Sequence, residues 1–230
     1  MSDHLQPLLA IDTATDTASV ALVRETGDIW AEYTWHAVGR HSQSLMPHVD
    51  WLLAQCGLRP ADLGAVAVAI GPGAYSGLRV GLATARGLAL ALDLPLLGVP
   101  TLDVLAYPHR RLPLIVQPLL DAQRGELATA RYRTRRDRWT RLDEFRLLTL
   151  DEVCAGVERR TLFCGEYPPA VADALRQRLG PQALFASPAE NLRRAGYLAE
   201  LAWARWQAGQ SDDLEALEPI YLRRPPVAEG

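Results

Sequence analysis

The sequence predicts an α/β protein built as two related halves, each a mixed sheet flanked by helices. Three observations carry that prediction. The stretch LLAIDTATDTASVALV, Leu8–Val23, is an apolar run that ends at Asp12, turns through polar residues and leaves again as a strand. LPLIVQPLLDAQRGELATARYRT, from Leu112, repeats the pattern with Asp121 at the turn. Each half then passes into apolar segments of helical length, so a strand-rich opening followed by helices occurs twice. The halves are placed at 1–106 and 107–230, with the C-terminal segment able to pack back on the first.

In the first half, a strand near Ile29–His36 completes a three-stranded meander. SQSLMPHVDWLLAQCG predicts a helix over Leu45–Cys56, with Ser44 as N-cap and Pro47 in the first turn, where its missing N–H is harmless. Leu45, Val49, Leu52 and Cys56 form an apolar stripe that Met46 and Leu53 widen. Trp51 stands anomalously on the opposite, polar face beside His48 and Gln55.

AVAVAIGPGAYSGLRVGLATARGLALALDL, Ala65–Leu94, is a strand, a glycine-rich loop and a helix. That order suggests a phosphate cradle, because helix N-termini present free N–H groups to anions. The loop satisfies neither G-x-x-x-x-G-K-[ST] nor G-x-G-x-x-G. Between Leu78 and Leu92 only Arg79, Thr84 and Arg86 are polar, so the helix needs cover on more than one side. Gly81 and Gly87 each cost about 1 kcal/mol against Ala in a helix interior, a cost that close backbone approach would offset. Two readings stay open for this helix: a bundle shared with a partner, or tight packing within the chain. The partner reading takes Leu45, Met46, Val49, Trp51, Leu52 and Leu53 from one helix, and Leu78, Arg79, Leu82, Ala83 and Arg86 from the other.

In the second half, SPAENLRRAGYLAELAWARWQAG predicts a helix opened by Ser187, with Pro188 at the first position, Glu190 completing a capping box and Gly209 past the end. RYRTRRDRWTR, Arg131–Arg141, holds six Arg and one Asp. Arg131, Arg133 and Arg135 alternate as one strand face, with Tyr132 and Trp139 interleaved. That ribbon is either a solvated hairpin face or a contact for nucleic-acid phosphates.

Composition narrows the chemistry. The hydrophobic fraction of 49% supports a real core, and no apolar run is long enough to span a bilayer. The N-terminal MSDHLQPLLAIDTA has no basic n-region, so no secretory signal is predicted and the expected location is the cytoplasm. Three cysteines without a C-x-x-C pair read as buried thiols. All 24 basic residues are Arg, which removes Schiff-base and Walker-type lysine chemistry and discounts arginine clusters as functional signals. The net charge of −3 gives no overall attraction to nucleic acid. His41 and His48, seven residues apart, would lie about 10.5 Å apart along a helix, too far to share one ion. His4, His36 and His109 suggest no ligand set either, and no metal site is predicted.

The paired strand–turn–strand units with Asp12 and Asp121 resemble the two-lobed actin-like ATPase fold, whose turns bind phosphates. AIDTATDTASVAL, HSQSLMPHVDWLL, GPGAYSGLRVGLATARGLA, LLDAQRGELATA and PIYLR, in that order, resemble the TsaB family of bacterial tRNA threonylcarbamoyladenosine biosynthesis proteins. The resemblance implies a non-catalytic subunit that binds and activates a larger TsaD-type paralogue. It also implies a homodimer when alone, a TsaE-type ATPase reached through the complex, and mainly indirect contact with tRNA. Asp12, Thr13 and Asp121 then mark degenerate nucleotide-cleft turns. No cofactor is expected to be tightly bound, with ATP or ADP a candidate only at the shared interface. The alternatives are a stand-alone actin-like kinase or ATPase and a metallopeptidase-like protein.

Overall fold

The structure, a computed structural model, describes residues 6–136 and 138–223. The chain divides into two compact units, Met1–Val104 with Arg193–Ile220, and Leu105–Leu192 with Tyr221–Gly230.

The first unit is a five-stranded sheet. Strands β1 (Leu8–Asp12), β2 (Thr17–Val23) and β3 (Ile29–His36) form the antiparallel meander. Helix α1 (His41–Gln55) follows, then β4 (Ala65–Ala69), helix α2 (Tyr75–Leu92) and β5 (Leu96–Val99). The order is β3-β2-β1-β4-β5, with β1, β4 and β5 parallel. A parallel strand buries both faces, and every residue of β1 and β4 is buried. Leu9, Ile11, Val66 and Val68 pack with Leu45, Val49, Leu52 and Leu53 of α1 and with Leu82 and Ala85 of α2. Leu8, Ala10, Ala65 and Ala67 point to the other face, where Ala195, Leu198, Ala199 and Ala202 cover them.

Those last residues belong to a helix from the far end of the chain, which the sequence places in the second half. The structure puts it on the first unit because α1 and α2, both on one face of the mixed sheet, leave the other uncovered. The helix also starts later than expected, at Ala195. Ser187 and Glu190 do make the reciprocal capping contacts, at 3.4 and 2.8 Å, yet they close only a single turn. The chain is extended at Arg194 (φ −127°, ψ 129°) before the helix begins.

The second unit repeats the plan. The boundary between units falls inside the short helix α3 (Thr101–Ala106). Then come β6 (Ile115–Asp121), β7 (Glu126–Thr129), β8 (Tyr132–Arg135), β9 (Arg138–Arg141), β10 (Arg146–Thr149), α4 (Leu150–Ala155), β11 (Thr161–Glu166), α5 (Pro169–Leu179) and β12 (Ala183–Phe185). The last helix, of the first unit, is α6 (Ala195–Gln207). The strand order β10-β7-β6-β11-β12 reproduces that of the first sheet, third-second-first-fourth-fifth, with the β8–β9 hairpin inserted before the third strand. Its core gathers Leu119, Leu127, Val153, Phe163 and Leu175. Thr149 caps α4 with a full capping box to Glu152.

Helix α1 starts three residues before the expected cap. Ser44 lies inside it, its hydroxyl donating to the Arg40 carbonyl at 2.9 Å and accepting from the Trp35 indole at 3.2 Å. Pro47 therefore sits within the helix, which leaves the carbonyl of exposed Gln43 to water. No helix among the described residues is long and apolar enough to cross a membrane.

Candidate functional site

The glycine loop and the first aspartate turn meet. The Ala74 N–H donates to the Ala14 carbonyl at 2.7 Å, and the Thr13 hydroxyl donates to the Gly77 carbonyl at 2.7 Å. A Cβ on Gly73 would strike the Ala14 carbonyl oxygen, one on Gly77 the Thr13 carbonyl oxygen, and one on Gly81 the Thr13 hydroxyl, all well inside van der Waals contact. The loop therefore holds the chain's own Thr13–Ala14 backbone, and glycine recurs along it because that backbone lies against the start of α2.

Asp12 is fully buried, and both its oxygens are engaged. One accepts the Ala14 N–H at 3.0 Å, closing a tight turn; the other accepts the Arg193 Nε at 2.7 Å. The Arg193 guanidinium, also buried, donates further to the Thr15 hydroxyl at 2.9 Å and to the Thr17 carbonyl at 2.5 Å. An arginine from the returning C-terminal segment thus fills the centre of the turn. His41 lies beside it at the start of α1, and burial pushes its imidazole below the ordinary value, with Asp16, Arg193 and Asp12 as charged neighbours. The Asp121 turn in the second unit is different. Asp121 is exposed and accepts the Gln123 N–H at 2.8 Å, while Gln123, Arg124 and Gly125 all take positive φ. It is a self-capped left-handed turn.

The two interface helices of the sequence reading do pack together in the first unit, and this changes the residues available to a partner. Leu45, Val49, Leu52 and Leu53 are 1–2% exposed, Leu78 is fully buried and Leu82 is 5% exposed. They belong to the unit's own core, because their stripes face its sheet. Gly81 is likewise explained within the chain. Arg86 turns to the C-terminal segment and donates to the Leu217 carbonyl at 2.5 Å. Half-buried Met46 and exposed Trp51 remain on α1, and Arg79 and Ala83 on α2, where Arg79 lies over the Tyr75 ring. Gly87 continues that outer stripe, where a Cβ would find nothing within 4 Å, and Leu90 ends it at 74% exposure. Trp51 is not isolated: its ring lies 5.3 Å from Tyr33, which stacks on Trp35, and both Tyr33 and Trp35 pack against His48.

The arginine ribbon also divides. Arg131 lies outside β8 and pairs with Asp143 at 2.7 Å, in the wall of a cavity of about 230 Å³ that Gln117, Thr129 and Arg146 share. Arg133 and Arg135 are exposed on the hairpin. His4 lies outside the described residues, and among those described no three His, Cys, Asp or Glu residues converge to hold a metal ion. Sequence reasoning missed Arg193 and Leu90. Arg193 had no local signal, and Leu90 was one more apolar residue of an apolar helix.

Comparison with known proteins places this geometry. The family model TsaD, tRNA N6-adenosine threonylcarbamoyltransferase, matches residues 35–154. The Bacillus subtilis tRNA threonylcarbamoyladenosine biosynthesis protein TsaB is 32% identical over 219 residues, covering 94% of this chain and 93% of that protein. A Pseudomonas aeruginosa crystal structure described by its similarity to peptidase YeaZ superposes with a TM-score of 0.79 at 30% identity, over 95% of this chain and 100% of the other. Component A of the (R)-2-hydroxyglutaryl-CoA dehydratase of Acidaminococcus fermentans, at TM-score 0.51 and 12% identity, covers 89% of this chain and 100% of its own, and shares the fold alone. With its duplicated sheet order and its paired turns, this chain has the actin-like ATPase fold and belongs to the TsaB family.

Proposed function

We propose that this chain is a non-catalytic subunit in the formation of threonylcarbamoyladenosine in tRNA, docking on a TsaD-type paralogue through the outer faces of α1 and α2. The observation that carries the reading is the stripe Arg79, Ala83, Gly87 and Leu90. It is exposed along α2, small in the middle and apolar at its end. Gly87 costs the helix about 1 kcal/mol, and no contact among the described residues accounts for it. A second helix crossing at that point would. Trp51, exposed at 48% on the neighbouring helix, adds an aromatic of the kind enriched in interfaces. In isolation the same face would pair with a second copy. A TsaE-type ATPase would join through the complex, and ATP or ADP would sit at the shared interface. The relatives' tRNA chemistry argues for the cytoplasm.

The filled Asp12 turn supports a subunit without its own phosphoryl chemistry, since the groups that would meet a phosphate already meet Arg193 and the Thr13–Ala14 backbone. The rival reading, a solitary actin-like kinase, requires that turn to open. Light scattering after size exclusion, with and without the organism's TsaD-type protein, tests the proposal. Ala83→Glu and Gly87→Trp change the outer stripe without entering the core. Wild type should form a heteromer that both variants lose. A chain indifferent to the paralogue, or variants that still bind it, would overturn the assignment.

A further inference from the structure

The tip of the β8–β9 hairpin carries an electrostatic arrangement that nothing among the described residues relieves. Arg133 and Arg135 are exposed and alternate with buried Tyr132 and half-buried Thr134, so they share one face of β8. The register sets Arg135 directly opposite Arg138, and Arg133 opposite Thr140. Directly opposed residues share a face and stand about 5 Å apart at Cβ, where like charges repel. Arg136, between the strands, is held at φ 50° and is also exposed. The Thr134 hydroxyl donates to the Arg110 carbonyl, which brings the exposed Arg111 of a preceding loop beside the hairpin.

Five arginines thus gather at Arg111, Arg133, Arg135, Arg136 and Arg138, and none has a carboxylate partner among the described residues. The 133–138 stretch offers a single acid, Asp137. By contrast Arg131, a few residues back, is neutralised by Asp143. A chain of net charge −3 that concentrates unpaired cations on one short hairpin, and sets two of them face to face, is built to meet a polyanion there.

We infer that this hairpin tip is a phosphate-backbone contact for RNA, with Arg135 and Arg138 at its centre. The choice of RNA rests on the role in tRNA modification proposed above. The contact reads phosphates and not bases. Tyr132 is 1% exposed and stacked on Trp139 at 5.4 Å between ring centres, so its ring face is not offered to a nucleobase. Binding is therefore independent of sequence and steeply dependent on salt. Five phosphate contacts give a slope of about −3.5 to −4.5 in a plot of log K against log salt concentration.

The test uses the full chain, alone and with its TsaD-type paralogue, and an unmodified tRNA transcript as probe, with polyuridylate as the second RNA. Wild type should bind both RNAs at low salt. Arg135→Gln with Arg138→Gln should reduce the slope by about two and weaken the affinity about tenfold at ~100 mM salt. Arg135→Glu with Arg138→Glu should abolish binding, with circular dichroism unchanged. An Arg131→Gln control should retain the full slope. Wild-type affinity and slope in the paired variants would overturn the inference. So would hairpin-dependent binding to phosphatidylglycerol vesicles without binding to either RNA. Complex formation with the paralogue, measured on the same variants, separates the two proposals. Its loss in the wild type with hairpin-dependent RNA binding intact would remove the proposed subunit role and leave this contact standing.

Discussion

Arg193→Met removes the cation at the centre of the Asp12 turn while keeping most of the side-chain volume. In the native fold the guanidinium is 1% exposed and Asp12 is fully buried, so neither group can fall back on water. The substitution deletes the 2.7 Å ion pair and the bonds to Thr15 and the Thr17 carbonyl together. Removing one partner of a buried pair costs about 3–5 kcal/mol, because the other charge stays behind uncompensated. For a chain of this size that is roughly 6–20 °C in melting temperature. Asp12→Asn combined with Arg193→Met should recover much of the loss, since an amide keeps a shape and an acceptor for the Ala14 N–H without leaving a charge. Arg193→Lys should fall between, as a compact ammonium cannot reach Asp12, Thr15 and Thr17 at once. Calorimetry and urea titration of wild type, Asp12→Asn, Arg193→Met and the double variant complete a double-mutant cycle with a coupling of about 2–3 kcal/mol. A loss below about 1 kcal/mol in Arg193→Met, or a double variant no better than the single, would refute the argument. Either result would mean that water reaches Asp12 in solution.

Two further predictions follow from the same region and from the buried imidazoles. Gly77→Ala should destabilise by about 1–2 kcal/mol net, because overpacking against the Thr13 carbonyl outweighs the gain in helix propensity; Gly87→Ala should stabilise by about 1 kcal/mol, as its methyl meets nothing. Urea midpoints of the two variants should therefore move in opposite directions, and equal shifts would contradict the packing described. Burial holds both His41 and His109 below the ordinary value of 6.5, with Glu190 near His109 acting the other way. Groups whose native pKa is depressed bind fewer protons folded than unfolded, so their contribution is complete above pH 6.5 and is lost as pH falls below it. Melting temperature should drop between about pH 7 and 5, and His41→Gln with His109→Gln should flatten that drop.

Local chemistry made much of this protein readable. The alternation through Leu8–Val23 and its recurrence after Leu112 depend on neighbours a few residues apart, and they announced two sheets and two self-capped aspartate turns. The strand–glycine loop–helix unit was readable for the same reason, as was the left-handed Gly209 after the last helix. Ser187 and Glu190 show the limit of that kind of signal. They form the capping contacts the sequence advertises, yet the helix waits until Ala195, five residues after Glu190, because Arg193 is drawn into a turn 181 positions away.

What only the tertiary structure decided concerns faces and distant partners. An apolar stripe on a helix is the same pattern whether it meets its own sheet or another protein. Leu45, Val49, Leu52, Leu53, Leu78 and Leu82 went to the core because the parallel strands needed cover on that side, and α6 was recruited from the end of the chain to cover the other. The surface left over is small and unassuming in sequence: Ala83, Gly87, Leu90 and a tryptophan. The arginines divided in the same way, Arg131 to Asp143, Arg193 to Asp12, and the hairpin tip to solvent. Periodicity determined which residues would be apolar and where the chain would turn; burial, which depends on everything packed around a residue, decided which of them would stay exposed.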